Sequence, residues 1–170
     1  MISRPAFRVI KNRKNLTGVE IGVSSGENAL NILENLDIAL LYLIDPYIEY
    51  EHFRQENINR WENLAHSRLD SKYIAKIVWI KNFSAKVINL FNDETLDFVY
   101  IDGDHKYDNI KLDLELYYPK VKLDGLFAGH DFTDLNVTKA VDEFFCDHMD
   151  VQLYCFKCED TDTADWWAIK

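Results

Sequence analysis

Residues 97–132 read DFVYIDGDHKYDNIKLDLELYYPKVKLDGLFAGHDF, and the order of patterns in this stretch decides the fold. A short apolar run at 96–101 predicts a buried strand that ends in DGDH. Apolar residues at helical spacing follow at 107–118, and a second apolar run at 126–128 ends in GHD. A strand, a helix and another strand in this order predict a right-handed βαβ unit with parallel strands.

The same alternation continues on both sides of this unit. Further strands are predicted at 17–22, 39–44, 77–80, 151–156 and 165–169. Further helices are predicted at 28–35, 51–71, 85–91 and 137–148, and the tripeptide Leu123-Asp124-Gly125 predicts a turn. The pattern indicates an α/β fold with a mostly parallel sheet. Only an acidic connector of eight residues, 157–164, joins the last two strands, so we expect these strands to pair antiparallel.

The composition favours one globular domain over residues 1–170, with an N-terminal helix in 1–16, predicted over 7–15, and a core over 17–170. Nineteen lysines and arginines against 29 acidic residues give a net charge of −10, which disfavours nucleic acid and anionic membranes as partners. The sequence has no apolar run of spanning length, and residues 1–16 do not have the pattern of a secretory signal, so we expect neither a membrane span nor a signal peptide. Three cysteines do not suggest a disulfide framework, so we expect a cytoplasmic location.

Polar or glycine-rich residues follow five predicted strands in succession. In an open parallel sheet, ligands bind beyond the carboxyl ends of the strands. Neither GxGxxG nor GxxxxGK[ST] occurs, which disfavours a phosphate cradle and a standard dinucleotide site. Glu20 at the end of the first strand would repel a pyrophosphate but accept from an ammonium group. Asp45 after the second strand can accept from ribose hydroxyls. This pair fits S-adenosylmethionine, which has an amino-acid end and a nucleoside end.

The stretches VEIGVSSGENAL, LYLIDPY, the 97–132 block and the terminal WWAIK together resemble the class I S-adenosylmethionine-dependent methyltransferases. The likeness is to a small family with Asp-Gly-Asp-His after strand four and Gly-His-Asp after strand five, and it covers residues 17–170. It implies a Rossmann-like, doubly wound sheet of seven strands in the order 3-2-1-4-5-7-6 with the last strand antiparallel. It also implies a methyltransferase acting on a small molecule, such as a sugar or natural product, at a hydroxyl oxygen.

The resemblance also implies roles for particular residues. The cofactor-binding positions would be Glu20, Gly22, Gly26, Asp45, Phe83 and Ser84. Relatives often have Gly-Asp-Ser where this chain has Asn82-Phe83-Ser84, so an acidic contact to adenine is missing there and Phe83 could stack on the ring instead.

Acids after strands four and five hold a divalent cation in related metal-dependent O-methyltransferases. The matching residues here are Asp102 and Asp131, whose oxygen atoms suit Mg²⁺, and Asp104 or His130 would be the base. A third oxygen ligand is absent, because the neighbours of Asp131 are His130 and Phe132. His105 fits a helix-capping role at least as well as a catalytic one.

Two other functions stay open from the sequence. One is a nicotinamide-dependent oxidoreductase on a similar sheet, and the other is a non-catalytic module that binds a nucleoside cofactor. A homo-oligomer also stays open, because the chain is short and a second subunit could complete the acceptor site.

Overall fold

Short runs of aliphatic and aromatic residues form the strands, and amphipathic segments between them form the helices. The computed structural model describes residues 4–50, 53–157 and 164–170. Within these, the strands are β1 (Leu16–Ile21), β2 (Ile38–Ile44), β3 (Ile77–Ile80), β4 (Leu96–Ile101), β5 (Val121–Gly129), β6 (Tyr154–Lys157) and β7 (Ala164–Ile169). The α-helices are α1 (Glu27–Asn35), α2 (Gln55–Tyr73), α3 (Ser84–Val87), α4 (Tyr107–Tyr117) and α5 (Leu135–Cys146). Short 3-10 helices are Pro5–Val9, Ile88–Leu90 and Tyr118–Lys120.

The strands form one sheet in the order β3-β2-β1-β4-β5-β7-β6. Strands β1 to β5 pair in parallel, and β7 runs antiparallel to both of its neighbours, β5 and β6. This order and the antiparallel last strand confirm the predicted fold class. The connector between the final strands is mostly residues 158–163, which lie outside the described part of the chain.

Helices cover both faces of the sheet, so the central strands are buried on two sides. The N-terminal 3-10 helix, α1 and α2 pack on one face around residues such as Ile32 and Leu69. Helices α3, α4 and α5 pack on the other face around residues such as Leu114 and Val141. No helix among the described residues is both long and apolar enough to span a membrane.

The N-terminal segment differs from the prediction of a helix over 7–15. It forms the 3-10 helix Pro5–Val9, and the chain then turns before β1, with Asn15 at a φ of 54°. Proline at the first helical position is compatible with this start. The segment does not continue as an α-helix, because Phe7 and Ile10 are buried against the sheet and fix its path.

The fifth strand is also longer than predicted. The tripeptide predicted as a turn, 123–125, lies inside β5 as an irregularity: Leu96 pairs with Val121 and Phe98 with Leu126. Asp124 has a φ of 64° at this bulge. Other boundaries shift by two to four residues. Helix α2 begins at Gln55 where 51 was predicted, α5 begins at Leu135 where 137 was predicted, and β6 begins at Tyr154 where 151 was predicted.

The parallel strands bring their carboxyl ends to one edge of the sheet, and backbone hydrogen bonds extend into the loops there. The amide of Gly22 donates to the carbonyl of Ile44 at 2.9 Å, and the amide of Asp102 donates to the carbonyl of Ile21 at 2.8 Å. Gly22 has a φ of 85°, and a Cβ there would lie 2.2 Å from the carbonyl oxygen of Asp102. The β1 and β4 ends can therefore meet only with glycine at this position.

We expect Gly22→Ala to lower the free energy of unfolding by about 2 kcal/mol or more, because the substitution combines a left-handed backbone with a backbone clash. Gly103→Ala is the matched control. A Cβ at Gly103 would lie 3.6 Å from Cγ2 of Ile21, an ordinary contact, so a much smaller change is expected. Urea unfolding of the two variants checks this, and equal losses would contradict the close approach at Gly22.

Candidate active site

A cavity of about 510 Å³ opens at the carboxyl edge of the sheet, between the ends of β1, β2 and β4. This volume is within the range usual for small-molecule sites. The predicted site residues in its wall are Gly22, Asp45, Phe83, Ser84, Asp102 and Asp104. The structure therefore brings together four predicted cofactor-binding residues, one predicted metal ligand and one predicted base.

Asp45 holds the loop that follows β1. Its Oδ2 accepts from the backbone amides of Val23 and Ser24, each at 2.9 Å, and its Oδ1 accepts from the amide of Tyr47 at 2.8 Å. The hydroxyl of Tyr47 donates to the carbonyl of Ser24 at 3.0 Å. The carboxylate has about four acceptor positions, so three backbone donors leave one for a ligand in the cavity.

Glu20 and Gly26 are not part of the cavity wall. Glu20 lies within β1, fully buried, and its side chain points to the face covered by α1. Its Oε1 accepts from Nδ2 of Asn28 at 2.9 Å, and its Oε2 has no hydrogen-bond donor among the described residues. Gly26 precedes α1 with a φ of 77°, and a Cβ there would lie 3.0 Å from Cα of Ala65 in α2. Direct cofactor contact by either residue stays a prediction.

A buried arginine connects Glu20 to the rest of the edge. The guanidinium of Arg4 lies 3.6 Å from carboxylate oxygens of both Asp102 and Asp165, and Nε donates to Oδ1 of Asn28 at 3.2 Å. Only 6% of the Arg4 side chain is exposed. Asp165 is fully buried and also accepts from the hydroxyl of Tyr100 at 2.7 Å. The Arg4 guanidinium thus joins the N-terminal segment to the loop after β4 and to the start of β7.

The predicted metal ligands meet two histidines. His105 Nε2 lies 2.9 Å from Oδ2 of Asp131, and His130 Nδ1 lies 3.2 Å from the same oxygen and 3.5 Å from Oδ1 of Asp102. Asp102, His105 and Asp131 each offer a ligand atom, and these atoms all lie within 4.8 Å of one another. Two carboxylates and an imidazole suit a divalent cation, so the residues fit the expected group and His105 is a candidate third ligand.

The ionisation of this cluster follows from its close contacts. Burial alone would lower the pKa of His130, but hydrogen bonds to Asp102 and Asp131 outweigh it and raise this pKa to about 10. Burial likewise opposes ionisation of Asp131, yet hydrogen bonds from His105 and His130 hold the pKa of Asp131 below its ordinary value. The hydrogen bond to Asp131 raises the pKa of His105. Asp131 is therefore charged, and both histidines pair with it.

Asp104, a predicted base, lies in the loop three residues before α4 and lines the cavity. Its Oδ1 accepts from the amide of Lys106 at 3.0 Å, and its Oδ2 accepts from Nδ2 of Asn109 at 2.7 Å. These bonds fix the carboxylate near the helix end, and both oxygens keep acceptor capacity. His130, the other predicted base, has a nearly buried side chain and is not part of the cavity wall.

Several site residues carry weak or no signals in the sequence. Arg4 and Asn28 are polar residues in segments that read as helix, and nothing in their spacing predicts that they meet. Asp113 gives a better signal, because it is an acid on the apolar face of α4, next to Leu114 and three residues from Ile110. His105 adjoins the predicted cluster in sequence, but only the fold brings its ring to Asp131.

Glu20 makes stability depend on pH. Burial, only partly opposed by the Asn28 hydrogen bond, raises the pKa of Glu20 from 4.5 to about 8. Between these values the folded chain keeps a proton that the unfolded chain releases, so the free energy of unfolding falls as pH rises. We expect Glu20→Gln to remove roughly 3 to 5 kcal/mol of this fall between pH 5 and 8.5.

Urea unfolding across this pH range checks the effect. Glu115→Gln, an exposed glutamate on α4, is the control and should keep the wild-type slope. A Glu20→Gln variant with the wild-type slope would mean that Glu20 is already ionised in the folded chain.

Comparisons with known proteins agree with this geometry. A family model described as a methyltransferase domain matches residues 19–132, more than half of the chain. An uncharacterised protein of Acanthamoeba polyphaga mimivirus is 27% identical over 137 residues, which are 75% of this chain and 59% of that protein. The chain therefore spans less than two thirds of the length of that relative.

Solved structures share the fold at low sequence identity. An rRNA methylase from Streptococcus thermophilus has a TM-score of 0.71 at 14% identity, covering 100% of this chain and 98% of that one. A precorrin-6y methyltransferase from Geobacter metallireducens has a TM-score of 0.69 at 15% identity, covering 97% and 84%. A precorrin 8W decarboxylase from Methanobacterium thermoautotrophicum has a TM-score of 0.70 at 12% identity, covering 96% and 86%. By its family match, this chain belongs to the class I S-adenosylmethionine-dependent methyltransferases.

Proposed function

We propose that this chain transfers a methyl group to a hydroxyl oxygen of a small molecule, of the sugar or natural-product type, with assistance from a divalent cation. The observation that carries this proposal is the cluster of Asp102, His105 and Asp131, which offers a cation three ligand atoms and meets the cavity at Asp102. A cation held there could bind a substrate hydroxyl and make it easier to deprotonate.

The cavity fits S-adenosylmethionine by its chemistry. Asp45 has acceptor capacity for ribose hydroxyls, Gly22 lets the loop approach a ligand closely, and Phe83 offers an exposed ring to a base. When bound, the cofactor would supply a methyl group on a positively charged sulfur. The acidic lining of the cavity, which includes Asp45, Asp102 and Asp104, favours such a cation electrostatically.

Asp104 is the better candidate for the base. It lines the cavity and has acceptor capacity, whereas His130 pairs with Asp102 and Asp131 behind the wall. Asp104 would take the proton from the acceptor hydroxyl as the new bond from oxygen to methyl carbon forms and the bond from carbon to sulfur breaks. Asp102 and Asp131 would hold the cation that orients the hydroxyl, and His130 would fix these two carboxylates.

A small acceptor fits the charge of the chain better than a nucleic acid does. The net charge of −10 and the carboxylates around the cavity would repel a phosphate backbone. We therefore do not infer an RNA acceptor from the fold that this chain shares with an rRNA methylase. The described cysteines, Cys146 and Cys155, are free thiols, which supports our assignment to a reducing compartment such as the cytoplasm.

Calorimetry with S-adenosylmethionine and NAD tests the cofactor. We expect saturable binding of S-adenosylmethionine, weakened about tenfold or more by Asp45→Asn, because the substitution removes a charged acceptor. Asp93→Asn is the matched control, because Asp93 is exposed and does not line the cavity, and this variant should bind as the wild type does. Binding of NAD without binding of S-adenosylmethionine would overturn the proposal in favour of an oxidoreductase.

Titration with Mn²⁺, followed by its electron paramagnetic resonance signal, tests the cation. We expect one bound ion per chain, with binding weakened about tenfold or more in Asp131→Asn or His105→Ala, since each removes a ligand. Asp142→Asn, an exposed acid on α5, should leave binding unchanged. Unchanged Mn²⁺ binding in both ligand variants, or methyl transfer that persists in excess chelator, would remove the cation from the mechanism.

A further inference from the structure

A carboxyl group from α4 lies in the cavity wall beside the residues that follow β3. Asp113 lines the cavity together with Phe83 and Ser84, and only 8% of this aspartate is exposed. Its Oδ1 accepts from the hydroxyl of Ser84 at 2.5 Å. The segment Asn82-Phe83-Ser84 after β3 contains no acid, and Asp113 of α4 places a carboxyl group beside it in the cavity wall.

This carboxyl group has acceptor capacity that the protein does not use. Among the described residues, Ser84 is the hydrogen-bond donor to Asp113, whereas an ionised carboxylate can accept about four hydrogen bonds. Burial raises the pKa of Asp113 to about 6, although the Ser84 hydrogen bond opposes this rise. A nearly buried acid with one donor gains from a further N–H group supplied by a ligand.

The contact between α3 and α4 does not depend on Asp113 alone. The hydroxyl of Tyr117, one turn further along α4, donates to the backbone carbonyl of Ser84 at 2.9 Å and already joins the two helices. The ring of Phe83, 44% exposed, lines the same part of the cavity. An apolar ring beside an unsatisfied acceptor is the combination that recognises a flat, amino-bearing heterocycle.

We propose that Asp113 is a specificity-determining residue that accepts a hydrogen bond from the exocyclic amino group of the cofactor's adenine ring. Asp113 then does from α4 what an acid after β3 would do. The inference rests on the proposed function, because it requires an adenosyl group in this cavity.

Calorimetry with two ligands tests this assignment. One is S-adenosylhomocysteine, and the other is its analogue with hydrogen in place of the exocyclic amino group. We expect the wild-type protein to prefer the amino-bearing ligand by about tenfold or more, the range for a hydrogen bond to a charged group. In Asp113→Asn the amide oxygen can keep the Ser84 bond, and the amide nitrogen then faces the ligand. The preference should therefore fall to near zero.

Asp108→Asn, an exposed acid near the start of the same helix, is the matched control and should keep the wild-type preference. Equal weakening of both ligands in Asp113→Asn, or a preference unchanged from the wild type, would overturn the assignment and leave Asp113 a structural residue. If Asp113→Asn fails to fold, the wild-type preference decides, because a wild-type chain that binds both ligands equally has no acceptor for the amino group. If the wild-type chain binds neither ligand, the proposed function fails instead.

Discussion

The buried guanidinium of Arg4 is the interaction on which the carboxyl edge of this molecule depends. Parallel strands concentrate acids at that edge, and Glu20, Asp102 and Asp165 all lie close to this one positive charge. The guanidinium of Arg4 lies within 3.6 Å of Asp102 and Asp165. Asn28 links it to Glu20, because Asn28 accepts a hydrogen bond from Arg4 and donates one to Glu20. Because ion pairs with so little exposure are weakly screened, the N-terminal segment belongs to the site electrostatically as well as sterically.

The acids at this edge fall into two groups that differ in what balances them. Glu20 and Asp165 lie deep and hold their protons more tightly than exposed acids do. Asp45 and Asp104 line the cavity and are held by backbone or amide donors that leave acceptor capacity. Asp102 belongs to both groups, since it contacts Arg4 and also lines the cavity. The deep acids are therefore partnered inside the protein, and the cavity acids keep acceptor capacity toward the cavity.

Much of the fold could be predicted because its signals are local. Strand runs, helical spacing and the DGDH and GHD motifs at strand ends depend on neighbours in sequence, and the strand order came with the family resemblance. The predicted bounds of the N-terminal helix, 7–15, were wrong because tertiary burial of Phe7 and Ile10 overrides the local pattern, and the segment forms the 3-10 helix Pro5–Val9 instead. The turn predicted at 123–125 was wrong because a bulge accommodates Asp124 within β5.

The site was less predictable, since its contacts join distant parts of the chain. The edge position of Asp45, Asp102 and Asp104 follows from topology, so the sequence could predict their proximity. Whether an edge acid faces the cavity or the core depends on the pleat. Glu20 points away from the cavity for this reason, while its neighbour Ile21 lines the wall. Arg4 and Asp113 come from elements whose packing the sequence does not reveal.

The loops at the carboxyl edge, and not the shared sheet, select the methyl acceptor in this fold. An rRNA methylase, a precorrin methyltransferase and a precorrin decarboxylase adopt this fold with TM-scores near 0.7, so strand order alone fits several substrates. In this chain, the loop after β4 places Asp104 in the cavity wall, and the loop after β5 places Asp131 beside Asp102 and His105. The loop after β2 supplies Tyr47, whose hydroxyl holds the first loop. A cavity with a negative edge and an aromatic wall places negative charge where a polyanionic acceptor would have to approach.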